Sequence, residues 1–116
     1  MKQQDKEIIE QAYAAFNTKN IDAILSKMHS EVHWPNGWEG GYVTGHKEVR
    51  DYWTRQWKEI NPTVEPVSIT EKEDGQIEVG VRQTVKDLSG AILFDGFVKH
   101  IYVIDNGLIK SMEIEK

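Results

Sequence analysis

Residues 92–104 read Ile92-Leu93-Phe94-Asp95-Gly96-Phe97-Val98-Lys99-His100-Ile101-Tyr102-Val103-Ile104. In an extended chain, successive side chains alternate between the two faces. Phe97, Ile101 and Val103 then share one face, and Val98, Tyr102 and Ile104 share the other. The stretch reads as a long strand that is apolar on both sides, and Gly96 inside it predicts a bulge or bend. A long bent strand curls its sheet around a space, and this feature decides the fold. Two apolar faces also need two covers. Helices supply one. A second copy of the chain is expected on the outer face near residues 92–104, giving a homodimer.

On either side of this strand the pattern is that of an antiparallel meander. Residues 64–72, 77–86 and 108–115 read as its other strands. Asp74-Gly75, Ser89-Gly90 and Asn106-Gly107 supply hairpin chemistry between them. In the second of these strands Ile77, Val79, Val81, Gln83 and Val85 share one face, while Glu78, Arg82, Thr84 and Lys86 share the other. Toward the N-terminus the period changes. Ile8, Ile9, Ala12, Tyr13 and Phe16 recur at helical spacing, and Asn17-Thr18-Lys19-Asn20 ends the run. Asn20 is placed to cap a second helix carrying Ile21, Ile24, Leu25 and Met28. A third helix is expected from about His46, with Val49, Trp53, Trp57 and Ile60 as its apolar stripe, stopped by Asn61-Pro62. Between the second and third helices a short strand fits residues 32–34. The expected fold is α+β, a single cone-shaped domain over residues 1–116. Three N-terminal helices pack on one face of a strongly curved, antiparallel four-stranded sheet, with a short extra strand, and enclose a pocket.

The composition agrees with one compact core. The chain has 116 residues, of which 39% are hydrophobic and 28% charged, with a net charge of −5 and no cysteine. Interspersed charges of both signs argue against a nucleic-acid footprint. No apolar run is long enough for a membrane span, and residues 1–10 lack the apolar stretch of a signal peptide. A cytoplasmic protein is the expectation. Zero cysteines exclude thiol nucleophiles and thiolate metal sites. Four tryptophans, Trp34, Trp38, Trp53 and Trp57, suit a dense core or an aromatic-lined cavity.

The stretch Ala12-Tyr13-Ala14-Ala15-Phe16-Asn17 is followed by Ile21-Asp22-Ala23-Ile24-Leu25 and Val32-His33-Trp34-Pro35. After these come Gly45-His46-Lys47-Glu48-Val49 and Gly107-Leu108-Ile109-Lys110-Ser111-Met112. In that order and spacing these pieces resemble the nuclear-transport-factor-2-like superfamily, which includes ketosteroid isomerase and the SnoaL-like polyketide cyclases. Trp34-Pro35-Asn36-Gly37, Glu39-Gly40-Gly41 and Tyr52-Trp53-Thr54-Arg55-Gln56 look like a bacterial SnoaL-like subgroup of unsettled activity. Fold in this superfamily does not fix function. The isomerase needs a tyrosine, a carboxylate base and an oxyanion-holding acid that an apolar site keeps neutral. Its positions fall here on Ala12, with Tyr13 one residue off, on Trp34 and on Lys99. Isomerase chemistry through those residues is therefore not expected.

The resemblance implies a pocket for a small apolar ligand with a few polar handles, and no cofactor. His100, mid-strand among hydrophobic neighbours, reads as a cavity acid or base, with Asp95 as its partner if the bend at Gly96 joins them; some SnoaL-like cyclases use such a histidine–aspartate pair. The alternative is a histidine satisfied by the backbone or by a subunit interface. Gln83 interrupts an aliphatic row and offers an amide either to a ligand or to a neighbouring side chain. Tyr13, Trp34, Asn36, Trp38, Trp53 and Met112 complete the candidate ligand-binding set. Residues 36–45, with four glycines, are placed to act as a flap. His29 and His33 have metal-pair spacing but no third ligand, so no metal site is assigned. The functional reading is a small-molecule-binding domain. Its alternatives are a cofactor-independent isomerase, cyclase or hydrolase, or a non-catalytic dimerisation or sensing module.

Overall fold

The computed structural model describes residues 2–115. Its elements run α1 (Gln3–Asn17), α2 (Ile21–Leu25), β1 (Met28–Pro35), β2 (Tyr42–Thr44), α3 (Gly45–Gln56), β3 (Ile60–Glu71), β4 (Ile77–Asp87), β5 (Ile92–Asp105) and β6 (Leu108–Glu115). The strands form one sheet in the order β2-β1-β6-β5-β4-β3. The meander β3 to β6 is antiparallel throughout. The sheet is nevertheless mixed and six-stranded, rather than four antiparallel strands with one extra. β1 is eight residues long and pairs parallel with β6, and β2 hairpins onto β1. Parallel pairing joins segments distant in sequence, so no local turn signals it.

Local chemistry explains most of the boundaries. The Asn20 side chain accepts from the backbone N–H of Ala23 at 3.2 Å and caps α2. α3 ends at Gln56, four residues earlier than its apolar spacing suggests, and Ile60 instead opens β3 opposite Asp87. Pro62 therefore lies inside a strand. β3 is the sheet edge, where a missing N–H costs no ladder bond. The bulge in β5 also sits elsewhere than expected. Val85 pairs with Phe94 and Lys86 with Ile92, so Leu93 is the extra residue, while Gly96 stays in register opposite Gln83. Gly96 has a different reason to be glycine: a Cβ there would lie 3.1 Å from Cζ of Phe94, whose ring crosses over it.

The core is one cluster centred on fully buried Ile9, Val32, Val49, Val79, Val81 and Ile109. α1 packs against β3, and α3 against β1 and β2, so the helices cover the two ends of the sheet. The middle strands β4, β5 and β6 floor the space left between them. Among the described residues no helix is long and apolar enough to cross a membrane.

Candidate functional site

A cavity of about 690 Å³ occupies that space. Its walls come from α1, α3, the inner faces of β4 to β6, and the segment after β1. Of the residues singled out from sequence, Tyr13, Trp34, Asn36, Trp38, Trp53, Gln83, His100 and Met112 all line it. Asp95 does not.

The polar centre of the cavity is a chain of three buried side chains. Tyr102 on β5 donates its hydroxyl to Tyr13 Oη at 2.8 Å. The Tyr13 hydroxyl lies 2.7 Å from Nδ1 of His100. With its oxygen already accepting from Tyr102, the Tyr13 proton goes to His100 Nδ1, which places the imidazole proton on Nε2. His100 Nε2 makes no hydrogen bond among the described residues, yet it is not sealed off. Burial lowers the His100 pKa to about 4, so the ring is neutral near pH 7. Burial also pushes both tyrosine hydroxyls well above the ordinary phenol range, so neither ionises.

Asp95 thus does not orient His100. It sits on the solvent side of β5, where Arg82 donates to it through Nε at 3.2 Å and Nη2 at 3.0 Å and Thr84 adds a hydroxyl. With Gly96 in register, no bend turns Asp95 inward, and strand alternation keeps it away from the face that carries His100. The group that positions His100 is Tyr13, one residue beyond the isomerase tyrosine position at Ala12. Ala12 and Trp34 line the cavity, whereas Lys99 is exposed outside it.

Aromatic rings form the apolar wall. Trp34 meets Trp53 edge-on at 5.7 Å, and Trp53 stacks on Trp57 at 5.7 Å; Trp57 itself does not reach the cavity. Gln83 is half-buried, and its amide makes no hydrogen bond among the described residues. Asn36 has both amide ends engaged. Its Nδ2 donates to Glu39 Oε1 at 2.9 Å, and its Oδ1 accepts from Glu39 N at 2.7 Å. Its role is to shape the segment that follows β1. That segment is tied to α3 as well, because Arg55 grips both Glu39 oxygens, at 2.8 and 3.1 Å. This guanidinium and the Asn36 amide hold the Glu39 carboxyl down at about 2. These contacts tie the expected flap to α3.

Among the lining residues that sequence reasoning does not single out as ligand contacts are the polar side chains of Tyr52, Gln56 and Tyr102. Val49, Tyr52, Trp53 and Gln56 follow the i, i+3, i+4, i+7 spacing of one helix face, and all four are buried. That spacing is a usable signal, but a stripe drawn through Trp57 and Ile60 hides it. His29 and His33 both lie on β1; His29 Nδ1 accepts from Glu31 N, and His33 stacks on Tyr42 at 4.3 Å. No group of three or more His, Asp or Glu side chains able to hold a metal occurs among the described residues.

Residues 9–112 match the SnoaL-like domain. The chain belongs to the SnoaL-like family. No curated protein matches it by sequence. Among solved structures, this SnoaL-like domain is similar to TerC co-crystallised with polyporic acid, at 25% identity and a TM-score of 0.83, over 96% of this chain and 89% of that one. It is also similar to an NTF2-like protein of unknown function from Burkholderia pseudomallei K96243. There the identity is 19% and the TM-score 0.85, over 98% and 91% of the two chains. A third is SalBIII, an epoxide hydrolase/cyclase-like enzyme of pyran ring formation in the polyether salinomycin. It shares 19% identity and a TM-score of 0.82, over 97% and 90%.

Proposed function

We propose that this SnoaL-like domain binds an uncharged, largely apolar small molecule in the 690 Å³ cavity and orients it through the Nε2–H of His100. The observation that carries this reading is the Tyr102–Tyr13–His100 chain, which leaves one polar donor free in an aromatic-walled space. Among the described residues the lining contains no lysine or arginine. Its one carboxylate, Glu113, is exposed and accepts from the Tyr42 hydroxyl at 2.6 Å. An anionic ligand would therefore find no cation, and burying its charge would be costly.

A second reading, a cofactor-independent isomerase, cyclase or hydrolase, draws on the same chain. A pKa of about 4 makes His100 a feeble base at neutral pH, so proton abstraction by it is disfavoured. What a neutral imidazole supplies is a hydrogen bond that polarises a carbonyl or ether oxygen in an aromatic-walled site.

Ligand-observed NMR with a panel of uncharged aromatic ketones and phenols, alongside polyporic acid, tests the binding reading. Uncharged members are expected to bind in the micromolar range and polyporic acid more weakly. Val85→Trp, which fills the cavity from β4, should abolish binding. A panel that fails to bind, or that binds the filled variant equally well, would overturn it.

A further inference from the structure

Gln83 stands in the inner row of β4 and lines the cavity. Register fixes what surrounds it. Val64 and Gly96 lie directly opposite on β3 and β5, and Val81 and Val85 flank it on its own face. Its diagonal neighbours on β5 are Phe94 and Val98, and those on β3 are both proline. None of these side chains can donate or accept a hydrogen bond. Gly96 offers no side chain at all, and the Phe94 ring that crosses over it fills the gap with carbon.

The Gln83 amide accordingly has no partner among the described residues, and the half-buried side chain keeps neither end sealed. In the empty protein only water can pair with it. Other polar side chains of the lining are engaged by the protein itself, Asn36 with Glu39 and Tyr42 with Glu113. A leucine in this apolar row would pack as well and would leave no polar group to desolvate. An amide kept at such a place serves what enters the cavity, where a few placed polar groups orient a ligand.

The position of Gln83 relative to His100 sets a length. His100 faces Val79 across the β4–β5 ladder, four residues before Gln83 on the same face. The two positions are therefore about 13 Å apart along the strand. Val81 and Val98, a cross-strand pair, lie between them. We propose that the cavity holds an elongated molecule at two points, an acceptor atom at His100 Nε2–H and a hydroxyl, carbonyl or amide at Gln83, with an apolar body between. This rests on the reading that the cavity binds an uncharged small molecule, and it adds a length and a second polar end to that class.

Ligand-observed NMR titration with two matched pairs tests both additions. 4,4′-Dihydroxystilbene carries a hydroxyl at each end of a long apolar body, and 4-hydroxystilbene lacks one of them. Hydroquinone and phenol make the same comparison on a single ring, too short to reach both points. The second hydroxyl should tighten stilbene binding roughly tenfold and phenol binding by no more than about twofold. Gln83→Leu should bring the two stilbenes to the same affinity. It should also melt at or above the parent temperature, because it removes an unpaired amide from an apolar row, whereas loss of a residue needed for the fold would lower it. The comparisons within the parent protein need no variant, so they stand even if Gln83→Leu folds poorly. Equal binding of the two stilbenes by the parent would overturn the second point and leave the pocket reading intact. Equal gains in the long and short pairs would overturn the length. A stilbene gain that persists in folded Gln83→Leu would take the second point away from Gln83 and equally overturn the proposal. Failure of all four probes to bind would sink the pocket reading itself, and this inference with it.

Discussion

At the scale of single residues, the two tyrosines and His100, none more than 6% exposed, satisfy one another at the cavity wall. Tyr13 is the middle member, accepting from Tyr102 and donating to His100. Tyr13→Phe keeps the ring and strands both neighbours, so it should destabilise the fold by about 2 kcal/mol in urea denaturation. A change below about 0.5 kcal/mol would mean that the chain contributes nothing measurable. The same chain sets a pH dependence with a definite sign. The unfolded histidine titrates near 6.5 and the folded one near 4, so between these limits the unfolded state binds more protons. Stability is full above pH 6.5 and is lost as pH falls toward 4, by about 2 kcal/mol from pH 7 to pH 5. His100→Asn cannot titrate in that range and should flatten the profile. An equally steep profile in that variant would move the effect to another group. His100 and Gln83 are legible in the sequence because a polar residue in an apolar row stands out. Tyr13 as the partner of His100 is not, because the two are 87 residues apart and only the fold brings them together.

At the scale of elements, turn chemistry makes the meander readable, and long-range pairing hides the rest. Asn106 and Gly107 have φ of 52° and 77°, the left-handed pair that a tight hairpin needs, and the strands on either side fall where that dipeptide puts them. Nothing local marks β1 as a parallel neighbour of β6. Nor does anything local mark Ile60 as a strand residue, since its spacing from Trp57 also suits a helix. The segment after β1 shows the same division. Its glycines suggest mobility, but the contacts that restrain it come from Asn36 and, sixteen residues beyond Glu39, from Arg55. Glu39→Ala removes the carboxylate that both hold. The amide of Gly40, which donates to the Asn36 carbonyl at 2.8 Å, should then exchange roughly tenfold faster while protection of the core strands is unchanged. Unchanged exchange at Gly40 would show that the backbone alone fixes this segment. Because Arg55 and Asn36 hold the Glu39 carboxyl near 2, the tie is present above pH 4.5 and is lost only as pH falls toward 2.

At the scale of the whole molecule, the inner face of the sheet is covered by helices and cavity, and the outer face is where apolar surface remains. Phe97 is 68% exposed, the highest value among the large hydrophobic residues described. Ile92, which pairs with Lys86 on the same outer face, and Leu88 at the start of the β4–β5 turn are exposed as well. Scattered single exposures are ordinary, but these three on one strand and its turn form a run that a partner can cover. The exposed Leu93 and Phe94 belong instead to the cavity lining on the other face, so a cover over this run would lie near the cavity mouth. A second copy of the chain suits the run because a strand packed about a two-fold axis meets itself, and each Phe97 would be buried against its symmetry mate's strand. The Arg82–Asp95 pair on the same side of the sheet supplies a polar margin for such a contact. We therefore expect a homodimer in solution through the outer face of β5. Light scattering at micromolar concentration should give twice the 13.4 kDa chain mass. Phe97→Glu, which places a charge at the centre of the contact without touching the core, should shift the protein to monomer while its thermal transition stays cooperative. A parent protein that is monomeric at tens of micromolar, or a Phe97→Glu variant that remains dimeric, would rule out this face as the interface.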